Sequence, residues 1–499
     1  MDRPNSYKAL NINKSTLLSA LLLIASPWLI LVAISLITSH SVTQSIPVWS
    51  DELSYWHEIL SLSQKGLYHG YYAYNEVIPA ISTFGPHGFG TVSVYALFAK
   101  LFGWRAYSIP LANAFFMSLA LLSLVLILKP TAKLITIILL FTVSYTPYLL
   151  FSITSMSEGL NYALLTVYFV FLYAFMQRGT KRLLFTLLVS CTAFSFVRII
   201  YIVLFLPLFF IRDKELIFNR KSLLYFISGI FFAAILFLIT SRLVSPYPDS
   251  FLHDLFNLNG ISPKLSFFSV HLKDNLLNFI NPLSDNFIQA VERYFVLLVL
   301  VYSLVKSDLL QSNFKNIEIR YFVVFLILLS VLSITLCAYD VFDWRDYRVL
   351  ATVLYGCVLF LILNSDRPEW IGIFTINTLV LLILIFAAPV FDLFSDGRYK
   401  QPAKSSVLNR IEYSINAASP FENTIDIQLS SPNIVLNVPA GTGICTVNGF
   451  SDKLQAKYIF SEKELKLATY KLIDFDKLGY LYKKEIRQKN QESRSKYQY

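Results

Sequence analysis

Long runs of apolar residues alternate with short polar segments along most of the chain. A helix needs about 20 apolar residues to cross the hydrocarbon core of a bilayer, so each long run predicts a transmembrane helix. The run at 182–211 is interrupted by Arg198, and we interpret it as two short helices that turn at the outer surface around that residue. In total about eleven spans are predicted, the others being 15–37, 107–128, 133–151, 158–176, 222–243, 291–306, 320–339, 347–363 and 370–391.

The density of charged residues changes abruptly near Phe391. About one residue in eight is charged before this position and about one in four after it, while 55% of the chain is hydrophobic. This composition excludes a small soluble enzyme, a disulfide-rich secreted scaffold and a disordered chain. We expect an all-α polytopic membrane domain at 1–391, a small soluble α+β domain at 392–480 and a disordered basic tail at 481–499. Within the small domain, the runs 425–429 and 433–438 predict strands.

The net charge of +10 reflects membrane topology more than a nucleic-acid partner, because Lys and Arg cluster in short loops between apolar runs. Their distribution predicts a multi-pass protein of the bacterial inner membrane with a cytoplasmic N-terminus. The loops 38–106 and 244–290 and the C-terminal domain are then expected outside. The apolar segment 88–103 is short for a span, and we interpret it as partly embedded on the outer side.

The first outer loop contains the sequence features with most chemical interest. Its residues Leu53, Trp56, Leu60 and Leu67 recur at near-helical spacing, which predicts a helix lying flat on the membrane. Asp51 and Glu52 open this helix, and two adjacent carboxylates at a membrane boundary suit a general base or a cation ligand. The alternative is that they are helix-start acids that interact favourably with the helix dipole.

Further charged groups occur at the ends of later apolar runs. Glu158 follows Ser155 and Ser157, so it is either a functional acid or part of a capped helix start. The cluster 340–348 contains Asp343, Arg345 and Arg348, and an arginine there could hold a phosphate through two parallel hydrogen bonds. Its alternative is mutual neutralisation of Asp and Arg. The four cysteines lie far apart, so they predict neither a disulfide framework nor a metal cluster.

The order of these features resembles the GT-C superfamily of membrane glycosyltransferases, which includes protein O-mannosyltransferases and bacterial enzymes that move sugars such as aminoarabinose onto lipid A. The resemblance covers about 15–210 and, more loosely, 343–350. It is carried by the outer-loop acid pair, the second outer acid, and the segments Thr-Phe-Gly-Pro-His-Gly at 83–88 and Leu-Phe-Gly-Trp-Arg at 101–105. Many members have a double proline where this chain has only Pro86.

This resemblance implies transfer of a sugar from a polyprenyl-phosphate donor to a lipid, glycan or protein acceptor of the cell envelope, at the outer face of the membrane. Asp51 would be the general base, with Glu52 as a supporting acid, and Glu158 would be a second acid that binds the acceptor or a cation. If a divalent cation such as Mg²⁺ or Mn²⁺ takes part, its ligands would be Asp51 and Glu158; no other cofactor is expected. The substrate-binding residues would be Trp56, His87, Arg198, Asp343, Arg345 and Arg348.

Two other functions fit a polytopic chain. A transporter or a flippase for lipid-linked sugars would also have many spans, but the sequence shows no internal repeat and its acids are concentrated in the outer loops. A polysaccharide polymerase or ligase is the second alternative, and it is less favoured because the acid pair follows the first helix and not a late loop.

Overall fold

The computed structural model describes residues 14–66, 70–74, 80–82, 84, 88–212, 215–216, 220–243, 251–280, 287–308, 318–338, 344–364, 374–375, 397–399, 404–413, 421–428, 432–447 and 456–485. The chain divides into two compact units. We call the first the helical unit; it comprises Met1–Val48, Phe89–Ser241 and Asp249–Gln401. We call the second the sheet unit; it comprises Trp49–Gly88, Arg242–Pro248 and Pro402–Tyr499.

The helices follow the apolar runs of the sequence, so the prediction of a mostly helical chain is confirmed. All except α2, which belongs to the sheet unit, lie in the helical unit. In chain order they are α1 (Lys14–Thr38), α2 (Ser50–Lys65), α3 (Phe89–Phe102), α4 (Ser108–Leu128), α5 (Ala132–Ser144), α6 (Thr146–Ser152), α7 (Glu158–Arg178), α8 (Lys181–Val197), α9 (Leu206–Phe210), α10 (Arg220–Ser241), α11 (Phe251–Asn257), α12 (Ile261–Ile280), α13 (Phe287–Lys306), α14 (Ile319–Ala338) and α15 (Trp344–Asn364).

Among the described residues, four helices are long and apolar enough to cross a membrane, namely α1, α4, α7 and α14. Helices α5 and α6 would make a fifth span if counted together, although they meet at 63°. Pro147 explains this break, because it lacks the N–H that would continue the helix, and Tyr145 before it is extended. Several helices are thus compatible with a membrane protein. The predicted span 370–391 lies outside the described residues apart from 374–375.

Two predicted irregularities can be compared directly with the structure. The apolar segment at 88–103 forms α3, which at about 1.5 Å per residue is shorter than the hydrocarbon core of a bilayer. The run at 182–211 breaks at Arg198, where α8 ends and a 3-10 helix, Ile199–Phe205, leads into α9. The break therefore falls at the residue that the sequence indicated.

Helix α15 forms the centre of the helical unit. Its residues 349–363 are all buried, and it packs against α7 and α14. Two tyrosines fix it: Tyr145 donates a hydrogen bond to the carbonyl of Ala351 (2.7 Å), and the Tyr355 hydroxyl lies 3.0 Å from Thr142 Oγ1. Gly356 allows the ring of Phe169 to approach the helix, because a Cβ there would overlap that ring. Buried apolar packing and satisfied hydroxyls thus hold this helix in place.

The strands are β1 (Gly70–Tyr74), β2 (Ala80–Ser82), β3 (Ile211–Arg212), β4 (Glu215–Leu216), β5 (Thr424–Gln428), β6 (Gly443–Val447), β7 (Tyr458–Ser461), β8 (Tyr470–Asp476) and β9 (Gly479–Lys484). All except the short β3 and β4 pair form one sheet in the order β2-β1-β6-β5-β7-β9-β8. Its centre, from β1 to β7, is parallel, and its outer pairings are antiparallel. The small C-terminal sheet is therefore confirmed, and it also contains two strands from the first loop.

Two expectations about the sheet unit are corrected. The apolar side of α2 does not serve a membrane surface at Leu53, because Leu53 packs in the core of this unit with Ile425, Ile444 and Phe460. The run 433–438 is a 3-10 helix, Pro432–Asn437, and not a strand. Its buried residues Ile434 and Val435 contribute to the same core. The apolar pattern therefore predicted burial correctly but did not determine the secondary structure.

Candidate functional site

Glu158 is the first residue of α7 and is almost completely buried, with 1% of its surface exposed. Ser157 precedes it, but the Ser157 side chain makes no capping hydrogen bond to this helix. Burial of a carboxylate inside an apolar helical unit is costly unless it is paired. The surroundings of Glu158 therefore decide between a capped helix start and a functional acid.

Two arginines from distant parts of the chain meet at this carboxylate. Arg198 Nη1 lies 3.7 Å and Arg348 Nε lies 3.6 Å from the same oxygen, Glu158 Oε1. Arg198 follows α8 and Arg348 lies in the first turns of α15. The three charged groups are close together although they are separated by up to 190 positions in the sequence. We call Glu158, Arg198 and Arg348 the arginine cluster.

The two ion pairs of the arginine cluster are longer than hydrogen bonds. Both distances exceed the range of an N–H···O hydrogen bond, so Glu158 interacts with the two guanidinium groups mainly through opposite charge. Each guanidinium presents several N–H donors in a planar fork that matches a phosphate. The side chains of Arg198 and Arg348 are 23% and 16% exposed. This arrangement can bind a phosphate in a largely apolar environment.

A second set of contacts fixes the turn that presents Glu158. The Asn113 side chain donates from Nδ2 to the carbonyl of Met156 (3.0 Å), and its Oδ1 accepts a hydrogen bond from the Tyr95 hydroxyl. Gly159 lies directly against the Asn113 side chain, where a Cβ would overlap it. Arg348 Nη1 in turn lies 3.8 Å from Met156 Sδ. Asn113 therefore connects α3, α4 and the turn before α7.

The position of Arg198 is fixed from α3. Gly90 lies in direct contact with the backbone carbonyl of Phe196, and any side chain there would overlap it. The Thr91 hydroxyl donates to the carbonyl of Val197 (3.2 Å). These contacts hold the end of α8 immediately before Arg198. Sequence reasoning missed Asn113 and Tyr95, although an asparagine within the apolar run 107–128 is a signal of a buried polar contact.

The acid pair of the first loop lies in the sheet unit. Asp51 is partly exposed in the first turn of α2. Glu52 is fully buried, and its Oε2 accepts a hydrogen bond from the backbone N–H of Trp49 (3.0 Å). Glu52 therefore satisfies a donor at the helix start, although it is buried and not solvated. Trp56 is buried in the same helix, with 6% of its surface exposed.

The remaining predicted site residues are not characterised by the structure. His87 and Asp343 lie outside the described residues, and Arg345 is described only as part of α15, without its side chain. For the divalent cation, the described part of the chain brings no group of three His, Cys, Asp or Glu side chains together. The ligand pair Asp51 and Glu158 thus stays a prediction of the resemblance.

The sheet unit contains a buried histidine that sequence reasoning did not single out. His57 Nε2 donates to the carbonyl of Thr442 (2.8 Å) and lies 3.4 Å from Ser61 Oγ. Burial lowers the pKa of His57 to about 4, although the hydrogen bond to Thr442 opposes this shift. Because its Nε2 carries the proton that Thr442 accepts, it does not activate Ser61 as a nucleophile. Ser61 instead accepts a hydrogen bond from the backbone N–H of Gly441 (3.0 Å).

A buried acid lies on β5. Asp426 is fully buried, beside Cys445 in the register of β5 and β6. Burial raises the pKa of this carboxyl to about 7, and the neighbouring Cys445 and Lys484 only partly offset that effect. Asp426 and His57 are therefore both neutral groups of the folded sheet unit at mildly acidic pH.

No protein-family model, curated protein or solved structure matches the chain.

Proposed function

We propose that this protein is an integral membrane glycosyltransferase that moves a sugar from a polyprenyl-phosphate donor to an acceptor of the cell envelope, at the outer face of the membrane. The observation that supports this most is the arginine cluster: two guanidinium groups meet one buried carboxylate within a bundle of apolar helices. A polyprenyl phosphate has the matching chemistry, with an apolar chain for the helices and a phosphate for the arginines.

The residues of the cluster have different roles in this proposal. Arg198 and Arg348 bind the donor phosphate and stabilise the negative charge that it gains as it leaves. Glu158 keeps the two guanidinium groups close together when no phosphate is bound, since like charges would otherwise repel each other. Glu158 is then a positioning residue, whereas the resemblance implied that it binds the acceptor or a cation.

The reaction requires one proton acceptor. The acceptor hydroxyl attacks the anomeric carbon, its proton passes to a base, and the bond between that carbon and the phosphate oxygen breaks as polyprenyl phosphate leaves. A phosphate leaves as a stable anion, so the demand for catalysis falls on the base. Asp51 is proposed for this role from its place in the sequence; in the structure it is the partly exposed acid of the first turn of α2.

The proposed topology keeps about eleven spans, with the N-terminus inside. It also counts α8, α10, α13 and α15 as spans that are shielded by their neighbours, together with the 3-10 helix and α9 after Arg198. The bent pair α5 and α6 would be one span, and the run 370–391 would be the last before the C-terminal strands.

Reconstituted vesicles test the function. Purified protein is incubated with labelled polyprenyl-phosphate sugars and envelope extract, and formation of a glycosidic bond is measured. We expect the wild-type protein to transfer the sugar. We expect Arg348→Gln to bind polyprenyl phosphate at least about tenfold more weakly, because a hydrogen bond to a charged group contributes about 1.5–3 kcal/mol. Arg320→Gln is the matched control, since Arg320 pairs with Glu318 (3.1 Å) outside the cluster. Lipid movement across the vesicle membrane without a new bond would contradict the proposal and favour a flippase.

A further inference from the structure

Two buried oxygen atoms in the first turn of α7 receive no hydrogen bond from the residues that the structure describes. Glu158 uses Oε1 for both arginines, while its Oε2 is buried with no hydrogen-bond partner in the described part of the chain. One helical turn later, Asn161 is 1% exposed, and its Oδ1 is likewise buried without a partner there. Leaving such atoms unsatisfied costs about 1–3 kcal/mol each, so a site with two of them is adapted to a ligand that donates.

The two oxygens share one face of α7. Residues three apart on a helix are neighbours on its surface, which places the Asn161 amide beside the Glu158 carboxylate. The Glu158 carboxylate also contacts Arg198 and Arg348 through its other oxygen. The first turn of α7 thus presents acceptor atoms directly next to the two guanidinium groups of the arginine cluster.

We propose that Asn161, together with Glu158 Oε2, binds hydrogen-bond donors of the group attached to the phosphate, namely hydroxyl or ammonium groups of the donor sugar. This inference rests on the proposed function, because it takes the anion at Arg198 and Arg348 to be the phosphate of a lipid-linked sugar. Asn161 then discriminates the sugar-bearing lipid from the free polyprenyl phosphate that remains after transfer. A site that hydrogen-bonds a substrate hydroxyl rejects the analogue that lacks it.

The test compares three probes in binding to the full-length protein in detergent: polyprenyl phosphate, polyprenyl phosphomannose and polyprenyl phosphoglucosamine. We expect Asn161→Leu to lower the affinity for both sugar-bearing lipids about tenfold or more, while affinity for polyprenyl phosphate changes less than about twofold. Asn161→Ser is the second variant, in case the larger side chain disturbs packing. Thr335→Val is the matched control, because Thr335 is buried on α14, outside the cluster, and its hydroxyl donates to the carbonyl of Val331 within that helix (2.7 Å).

The results separate the possible ligands and the possible failures. If Asn161→Leu lowers the affinity for both sugar lipids equally, Asn161 recognises hydroxyl groups. If the affinity for the amino-sugar lipid falls more, and Glu158→Gln has the same effect, the site recognises the ammonium group. Both results support the inference. Unchanged affinity for the sugar lipids in both Asn161 variants, or an equal loss for polyprenyl phosphate, would overturn the inference alone. If the unchanged protein does not bind polyprenyl phosphate, the proposed function fails and the inference fails with it.

Discussion

Two aspartates of the sheet unit show how the environment of a single residue sets its protonation. Asp426 is buried, and burial raises its pKa to about 7. Burial also acts to raise the pKa of Asp476, but hydrogen bonds from the backbone of Leu478, the Ser405 hydroxyl and the backbone of Val407 and Ser406 outweigh it and lower the pKa. The first carboxyl is stable as the neutral acid and the second as the anion.

Asp426 therefore makes the sheet unit less stable as the pH rises. Between the ordinary pKa of 3.8 and about 7, the unfolded state has lost the proton while the folded state still binds it, so the free energy of unfolding falls through this window and is constant above it. The full effect is at most about 4 kcal/mol. We expect Asp426→Asn to remove this pH dependence, measured by amide hydrogen exchange of β5 in the full chain from pH 4 to 8.

Asp476→Asn is the matched control, because we expect it to change the free energy of unfolding in the opposite direction to Asp426→Asn. Its lowered pKa stabilises the folded state above the ordinary pKa, and that contribution is lost as the pH falls through the folded value. Its replacement should therefore weaken protection near neutral pH, whereas Asp426→Asn should increase it. A β5 pH profile that is unchanged by Asp426→Asn would show that Asp426 is not the titrating group.

The base assignment is tested at Asp51. We expect Asp51→Asn to reduce sugar transfer roughly 100-fold or more, since general-base catalysis contributes about 10²–10⁴. Binding of polyprenyl phosphate should change little, because the phosphate contacts are assigned to the arginine cluster. Transfer and binding are measured on the same preparation, with Glu52→Gln beside it to separate the adjacent helix-start acid. Retention of more than about a tenth of the activity in Asp51→Asn would move the role to another group.

Sequence reasoning found the charged members of the site but not its neutral ones. Glu158, Arg198 and Arg348 were visible because a charge in an apolar run is expensive and therefore conspicuous. Asn113, Tyr95 and Asn161 carry no charge, and a single amide or hydroxyl in a membrane helix does not identify its partner. Convergence of two guanidinium groups on one carboxylate oxygen depends on tertiary packing that the spacing of residues does not encode.

At the scale of elements, Arg293 stabilises the end of a neighbouring helix. It lies on α13, is 5% exposed, and donates from Nη1 to the carbonyls of Asn278 (2.5 Å) and Phe279 (3.1 Å) in the last turn of α12. These carbonyls have no partner within their own helix, and a cation there also interacts favourably with the helix dipole.

Replacement of this arginine should loosen the last turn of α12. We expect Arg293→Met to weaken it by about 1–3 kcal/mol, the usual effect of losing a hydrogen bond to a charged donor. The measurement is amide hydrogen exchange of peptides covering 274–280, which reports local opening. Lys273→Met is the control, because Lys273 is exposed on the same helix. Equal exchange in both variants would show that the Arg293 contacts do not stabilise α12.

The contact of α3 with the end of α8 gives a second prediction about elements. Gly90 touches the carbonyl of Phe196, so Gly90→Ala must displace α3 or the residues just before Arg198. We expect a lower thermal midpoint and weaker polyprenyl-phosphate binding, measured on one detergent preparation. Leu97→Ala on the same helix is the control, since Leu97 is 64% exposed. A Gly90→Ala protein with unchanged binding would mean that Arg198 does not depend on this contact.

Helix positions followed from apolar periodicity, but the partners of the helices did not. The spacing of Leu53, Trp56 and Leu60 describes one apolar side, and this pattern is the same whether that side meets lipid or protein. In the structure Leu53 packs with Ile425 and Ile444. The pattern at 433–438 likewise predicted buried residues but did not distinguish a strand from a 3-10 helix.

At the scale of the whole molecule, the sheet unit is built from segments far apart in the sequence. Ala73 of β1 pairs with Cys445 of β6, and every α-helix of the helical unit except α1 lies between these two residues in the chain. Strand pairing at such separation leaves no local trace, because a strand shows only its own alternation. The sequence could therefore indicate strands in the tail but not that the first loop contributes to the same sheet.

The orientation in the membrane provides the last prediction. Lys181 opens α8 beside Arg182, in a cluster of positive charges that the distribution of Lys and Arg places inside. Lys273 lies on α12, within the loop expected outside. Both are exposed in the structure, so cysteines placed there should be accessible to reagents. Of the native cysteines, Cys337 is partly exposed and would be replaced by Ser, whereas Cys191, Cys357 and Cys445 are buried.

In intact cells a membrane-impermeant maleimide should label Lys273→Cys but not Lys181→Cys, and both should react after the membrane is permeabilised. Lys14→Cys, at the start of α1, serves as a further inside position and should behave like Lys181→Cys. Labelling of positions 181 and 273 from the same side would overturn the orientation and, with it, the location of the reaction at the outer face.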